Sequence, residues 1–303
     1  MYTKFNAHAR EDKFLKEFIE RYKLDITKFA MEFGANDGVI GSNIRHFLKN
    51  GWSGIWVEPS REGFAKLQVK SQGLDVELHN VAISNKEEIV QFTYHPWHTG
   101  SGGINPHLYK VKTKAQLSQT KQYPVQCKRI ASIVKNHTIG IMSIDTEGHD
   151  YIIAKDLLES EIYPEIVIIE GDNAEARRLQ KKLFVDTGKY VRILGISFNN
   201  IFLRKDKWIS KLPDAPSYLN LDSTKWIYER VGYDSRPMSF SGLHTITTGK
   251  AKHEMTYECI GNVLNIYGAA DKTTCMLHKV SDTIYEGQWL ICEKMPIKLT
   301  RIK

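Results

Sequence analysis

Met31-Glu32-Phe33-Gly34-Ala35-Asn36-Asp37-Gly38 is a short apolar run that breaks into a turn with a glycine at each end. Phe29 to Phe33 reads as a strand, and Gly34 and Gly38 allow positive φ and close backbone approach to a ligand. A G-x-x-x-G turn taken alone equally describes a plain structural turn. Its spacing differs from the G-x-G-x-x-G dinucleotide pattern, and no Lys-Ser/Thr follows as in a phosphate-binding loop. A ligand without a pyrophosphate therefore fits this turn better than NAD or ATP.

Outward from the turn, short apolar strands alternate with helical patterns, as a parallel sheet with crossover helices requires. Before it, Phe14, Leu15, Phe18, Ile19 and Tyr22 recur at helical spacing over residues 11–22. After it, the pattern predicts a helix over 42–50 with Ser42 as its cap, then a strand over 53–58 and a helix over 61–72. Further strands are expected at 76–81, 139–145 and 166–170, the last almost wholly apolar, as where both faces are covered. A helix at 174–187 and two closing strands at 190–194 and 200–203 complete a doubly wound α/β domain of residues 1–205. Residues 206–303 begin with a polar connecting stretch holding Pro213, Pro216 and Pro237. They continue as short β-rich runs at 243–247, 255–260, 263–267, 274–280 and 289–293, a small accessory domain.

The bulk composition narrows the function classes. With 42% hydrophobic and 25% charged residues, the 303-residue chain has the make-up of an ordinary globular protein. No apolar run approaches the roughly 20 residues of a membrane span. The opening Met1-Tyr2-Thr3-Lys4-Phe5-Asn6 lacks the features of a signal peptide, so a cytoplasmic location is expected. Cys127, Cys259, Cys275 and Cys292 are widely spaced without a CxxC pair and read as buried free thiols. The net charge of +7 and pI near 9.0 favour anionic partners, yet no dense Lys/Arg block with interleaved aromatics marks a nucleic-acid surface.

Two further acidic positions fall at strand ends. Glu58 closes the second strand, about two dozen residues after the turn, where an acid in nucleoside-binding α/β folds accepts from ribose hydroxyls. The alternative is an exposed strand-end carboxylate. Ser143-Ile144-Asp145-Thr146-Glu147-Gly148-His149-Asp150 ends the fourth strand, at the carboxyl edge where ligands of open α/β sheets bind.

With these pieces in order, the chain resembles the FkbM family of S-adenosylmethionine-dependent methyltransferases. The matching segments are Glu32 to Gly38, Val57-Glu58-Pro59, His79-Asn80-Val81-Ala82-Ile83-Ser84, Ile144 to Gly148, Ile168-Ile169-Glu170 and Asn199-Asn200-Ile201-Phe202-Leu203. The family usually has Asp where Glu32 stands, and an aliphatic residue at Thr146. The resemblance implies a class I, Rossmann-like methyltransferase fold and S-adenosylmethionine as cofactor. Carried over by position, Glu32, Gly34, Ala35, Asn36, Asp37 and Gly38 would hold its methionine part, Glu58 and Pro59 its ribose, and Asn80, Val81 and Ala82 its adenine. It also implies methylation of a hydroxyl oxygen on a sugar, glycan or related natural product.

Such a transfer needs a base within hydrogen-bond reach of the acceptor. Asp145, Glu147 and His149 are the candidates, with His149 or Glu147 favoured as base and Asp145 as cofactor or acceptor positioner. Asp150 reads as a solvated or helix-start carboxylate. Asp145 with Asp172-Asn173 offers hard oxygen ligands for Mg²⁺, a second route to an activated hydroxyl. The long stretch 90–135, with Tyr94-His95-Pro96-Trp97-His98-Thr99-Gly100-Ser101-Gly102-Gly103, is expected to be a lid or binding loop. Trp226, Tyr228, Tyr233, Tyr257, Tyr267, Tyr285 and Trp289 either fill a β core or stack on sugars. A nucleic-acid methyltransferase and an inactive binding module stay open as alternatives.

Overall fold

The computed structural model describes residues 2–96, 102–104, 113–171, 173–196, 198–209, 221, 224–241, 245–269, 271–291 and 295–302. Strand and helix alternate through α1 (Glu11–Tyr22), β1 (Phe29–Phe33), α2 (Arg45–Lys49), β2 (Ser53–Val57), α3 (Arg61–Lys70) and β3 (Val76–His79). An inserted segment holds β4 (Ala82–Ile83), β5 (Ile89–Tyr94), β6 (Gly102–Gly103), α4 (Lys114–Gln119) and β7 (Lys121–Lys128). The alternation resumes with α5 (Ile130–Val134), β8 (Ile141–Ile144), α6 (Asp150–Glu159), β9 (Ile166–Glu170), α7 (Ala174–Val185), β10 (Tyr190–Ile196), β11 (Asn199–Arg204) and α8 (Lys205–Ile209).

Successive strand residues alternate between two apolar cores, because side chains of a strand point to opposite faces. Ala30, Trp56, Ile166 and Ile168 pack with Leu15 and Phe18 of α1, Phe47 of α2 and Leu67 of α3. Met31, Ile55, Val167 and Ile169 pack with Ile133 of α5, Ile153 and Leu157 of α6 and Phe184 of α7. Each such fully buried side chain contributes roughly 1.5–3 kcal/mol, so the sheet is held from both faces. Its seven strands run β10-β11-β9-β8-β1-β2-β3, and β11 is antiparallel to both of its neighbours. The chain leaves β1 for β2 and β3, then returns to β8 on the other side of β1. That reversal opens a crevice at the carboxyl ends of β1 and β8.

The stretch expected to be a lid or binding loop contributes to a second sheet of order β4-β7-β5-β6. Phe92, Tyr94, Tyr123, Val125 and Cys127 form its own small core with Ala82. Of the glycine-rich run, Gly102 and Gly103 pair with Tyr94 and Thr93, while residues 97–101 lie outside the described residues.

The C-terminal part is a closed barrel of β12 (Lys225–Arg230), β13 (Asp234–Ser241), β14 (Thr245–Thr248), β15 (Thr256–Ile260), β16 (Val263–Tyr267), β17 (Thr273–Ser281), β18 (Ile284–Trp289) and β19 (Pro296–Arg301). This corrects two expectations. Pro237 lies inside β13 and not in a connecting stretch, while Pro213 and Pro216 lie outside the described residues, and of the described residues in the expected run at 289–293 only Trp289 is in a strand, at the end of β18. Trp226, Tyr228, Tyr257 and Tyr285 fill the barrel core and Tyr267 is buried beside it, leaving Tyr233 exposed. The barrel docks on β10: Asn265 donates to the Ile193 carbonyl at 3.0 Å, Thr273 Oγ1 accepts from Gly195 N–H at 2.8 Å, and buried Arg192 pairs with Asp271 at 2.7 Å. Cys127, Cys259 and Cys275 are buried free thiols, and Cys292 is outside the described residues. No helix among the described residues is long and apolar enough to cross a membrane.

Candidate active site

The loops following β1, β2, β3 and β8 converge on a cleft of about 920 Å³, part of it open to solvent. Gly34, Ala35 and Asn36 form one wall, Glu58 and Pro59 a second, Val81 and Ala82 a third, and Asp145, Glu147 and His149 a fourth.

Gly34 explains how the first and last of these loops meet. Its φ is +82°, and a Cβ there would lie 1.7 Å from the Asp145 carbonyl oxygen, so only glycine lets the two loops touch. Gly34 and Ala35 N–H donate to the Val57 carbonyl at 3.0 and 3.1 Å, tying the same turn to the end of β2. Glu58 completes the junction by accepting from Asn36 N–H and Ser60 N–H, both at 2.7 Å, one on each carboxylate oxygen. The Ser60 side chain is a third donor, and the carboxylate keeps acceptor capacity for one more. Burial pushes the Glu58 carboxyl above the usual carboxylate range, against the downward pull of those donors.

Glu32 lines the cleft but spends its carboxylate on the fold. It accepts from Ser42 Oγ at 2.6 Å, Asn43 N–H at 2.7 Å and Trp56 Nε1–H at 2.9 Å, and burial pushes it up to about 7. Ser42 is thus a partner of Glu32 and of Arg45 N–H, and the helix expected to start beside it begins at Arg45. Three residues of the resembled motifs stand behind the cleft wall. Asp37 accepts from Val39 and Ile40 N–H and closes the turn, Gly38 fits against Leu67 and the Trp56 ring, and Asn80 donates to the Glu58 and Pro59 carbonyls.

After β8 the carboxylates differ in role. Asp145 is hydrogen-bonded to Glu170, which follows on the adjacent strand β9. Burial first, then the neighbouring Glu170, Asp150 and Glu147, hold its carboxyl well above the usual range. Asp150 is buried and not solvated: it accepts from Thr146 N–H at 2.7 Å, Thr146 Oγ1 at 3.0 Å and Gly148 N–H at 3.0 Å, so it braces the loop. Glu147 is held at φ +54° on the cleft wall. His149 caps α6, and its Nε2 is 3.0 Å from Ser84 Oγ. In the tautomer whose Nε2–H donates to Ser84, Nδ1 is an acceptor, and burial lowers the imidazole's pKa, which favours its neutral form.

Of the positions offered for a cation, Asp172 lies outside the described residues, and Asn173 uses its side-chain oxygen to cap α7 at Ala176 N–H. Among the described residues no group of three or more His, Cys, Asp or Glu is arranged around one point for a metal.

Sequence reasoning missed His8 and Ile40, which also border the cleft, whereas Phe92 and Ile104 fall in the stretch expected to be a lid or binding loop. His8 arrives with the N-terminal segment, which crosses the β1–α2 loop through the Asn6 hydrogen bonds to Val39 and Gly41. No motif announces such a contact, because it depends on tertiary docking alone. Ser84 lay inside a quoted segment, but only the fold brings it to His149.

No curated protein matches the chain in sequence. Among solved structures there are distant likenesses. One is to a candidate RNA methyltransferase from Pyrococcus horikoshii, at 13% identity over 65% of this chain and 82% of that one, with a TM-score of 0.36. Another is to an S-adenosylmethionine-dependent methyltransferase from Clostridium acetobutylicum, at 10% identity over 96% and 73%, with a TM-score of 0.29. A third is to the bifunctional kinase-methyltransferase WbdD, at 8% identity over 98% and 62%, with a TM-score of 0.36. The model of the methyltransferase FkbM domain matches residues 32–187, just over half of the chain, and these hold every described residue of the cleft except His8. The chain belongs to the FkbM methyltransferase family.

Proposed function

We propose that the protein is an S-adenosylmethionine-dependent O-methyltransferase with a class I, Rossmann-like catalytic unit through about Lys205, and that its acceptor is a hydroxyl of a sugar, glycan or related natural product. The observation that carries the cofactor reading is the charge of the cleft. In a chain of net charge +7, the described residues of the cleft wall include Glu32, Glu58, Asp145 and Glu147 and no Lys or Arg. Such a wall suits a cationic ligand and repels a pyrophosphate. The Gly34 cradle and the remaining acceptor capacity of Glu58 suit a nucleoside whose ribose is held at the end of β2.

S-adenosylmethionine, when bound, supplies a methyl group on a sulfonium. The residues of this chain then align the acceptor and manage its proton. His149 Nδ1 would accept the hydroxyl proton in the tautomer whose Nε2–H donates to Ser84, so Ser84 is the residue that would orient the base. Alignment of nucleophile and methyl accounts for much of the rate in such displacements. The hydroxyl acceptor is supported by a neutral base beside the cleft and by the absence of Lys or Arg from its described walls, where a nucleic acid would need phosphate partners.

The test is transfer of isotopically labelled methyl from S-adenosylmethionine to pooled glycosides and to RNA, with and without added Mg²⁺. Labelled glycoside that disappears with His149→Ala is expected. Label on RNA with a steep salt dependence would instead make this a nucleic-acid methyltransferase.

A further inference from the structure

A second hollow, of about 730 Å³ including space open to solvent, lies beyond the cleft between the inserted sheet and the start of α6. His149 and Ile104 border both spaces, so the two meet at the side chain assigned as base. Strand β5 divides them. Phe92 lines the cofactor cleft, whereas its neighbours Gln91 and Thr93, on the opposite face by strand alternation, line the hollow. Gln122 stands opposite Thr93 in the ladder and donates to its hydroxyl at 3.2 Å. Val90, Ile104 and Ile152 supply the apolar part of the wall.

We propose that this hollow is the acceptor seat and that it takes an uncharged sugar residue, with the hydroxyl to be methylated directed at His149. The inference rests on the methyltransferase reading above. Two carboxamides and a hydroxyl offer both donors and acceptors without charge, which matches a run of sugar hydroxyls. The aliphatic wall matches the C–H face of the ring. No Lys, Arg, Asp or Glu is among the described residues of the wall, so a phosphate or carboxylate seated there would meet no counter-charge. A sugar phosphate or nucleotide sugar is therefore a poor occupant.

The experiment uses the full-length ¹⁵N-labelled protein saturated with S-adenosylhomocysteine. Neutral methyl glycosides of the gluco, manno, galacto, fuco and rhamno series are titrated in turn, followed by glucose 1-phosphate, UDP-glucose and a short RNA. The Gln91 and Gln122 side-chain amide signals, assigned with Gln91→Ala and Gln122→Ala, should shift saturably with at least one neutral glycoside. The charged sugars should bind about tenfold more weakly or worse, because the described wall offers their charge no partner. Ile152→Trp, which fills the hollow from a partly exposed position, should abolish the shifts and any methyl transfer while leaving S-adenosylhomocysteine affinity unchanged. No shift with any neutral glycoside, or a preference for UDP-glucose, glucose 1-phosphate or RNA, would overturn the proposal. Failure to bind S-adenosylhomocysteine would instead overturn the reading on which it rests.

Discussion

Gly34→Ala probes the contact that builds the cleft. The added Cβ would sit 1.7 Å from the Asp145 carbonyl, whereas ordinary contact begins near 3.4 Å, so one loop must retreat by about 1.7 Å. Alanine at φ +82° adds roughly 1–2 kcal/mol of left-handed strain, and forcing backbone from backbone adds roughly 1–3 kcal/mol. A loss of stability near 3 kcal/mol is expected. Retreat of the loop would also pull Gly34 and Ala35 N–H from the Val57 carbonyl, lowering S-adenosylhomocysteine affinity by about tenfold or more. Gly51→Ala is the matched control. Its φ is +86° and nothing lies within 4 Å of the added Cβ, so it carries only the strain of roughly 1–2 kcal/mol. Urea denaturation of both variants gives the stabilities, and calorimetric titration gives the affinities. Equal stability losses with intact ligand binding in Gly34→Ala would refute the argument that the β1 and β8 loops must touch.

Three further outcomes follow from the site. Glu58→Ala removes the acceptor of two backbone donors and of the proposed ribose, so S-adenosylhomocysteine affinity should fall at least about tenfold; unchanged affinity by calorimetry would move the ribose elsewhere. His149→Ala should lower turnover by about 10²–10⁴-fold with cofactor affinity retained. Because burial lowers the imidazole's pKa, the wild-type rate should fall only as pH drops below the usual histidine value, and an acid limb at or above about 6.5 would exclude His149 as base. Asp145, paired with Glu170, has a raised pKa, and a nearby sulfonium favours its ionised form. Affinity for S-adenosylmethionine should therefore rise with pH until the carboxyl ionises unaided, by up to about a decade per unit. S-adenosylhomocysteine, which lacks the sulfonium charge, should show a shallower slope, and equal slopes would contradict this placement of the charge.

The elements legible in the sequence are those whose pattern is local. Helix α1 and strands β1, β9 and β16 fall on their expected residues, because an apolar stripe or an unbroken apolar run identifies them without reference to partners. Strand β13 escaped detection because Asp234-Ser235-Arg236-Pro237 is polar and contains a proline. Pairing to β14 starts only at Ser239, so at Pro237 the ladder with β12 is the one paired, and a missing N–H is tolerated. Strands β5 and β7 pair Ile89 with Gln126 across a long intervening segment, a partnership that no local window carries. In the site, the glycine turn and the strand-end acids were legible as positions, but their division of labour was not. Whether Glu32 braces the fold, Asp150 holds a loop or Ser84 orients His149 depends on hydrogen bonds made across strands.

The central claim is that the acidic cleft at the carboxyl ends of β1, β2 and β8 holds a sulfur nucleoside. Calorimetric titration of the intact protein with S-adenosylmethionine and S-adenosylhomocysteine, with NAD as control, tests it most directly. The account predicts one-to-one micromolar binding of both sulfur nucleosides, lost or weakened in Glu58→Ala, with no heat from NAD. Binding of NAD in their place, or of none of the three, would contradict it.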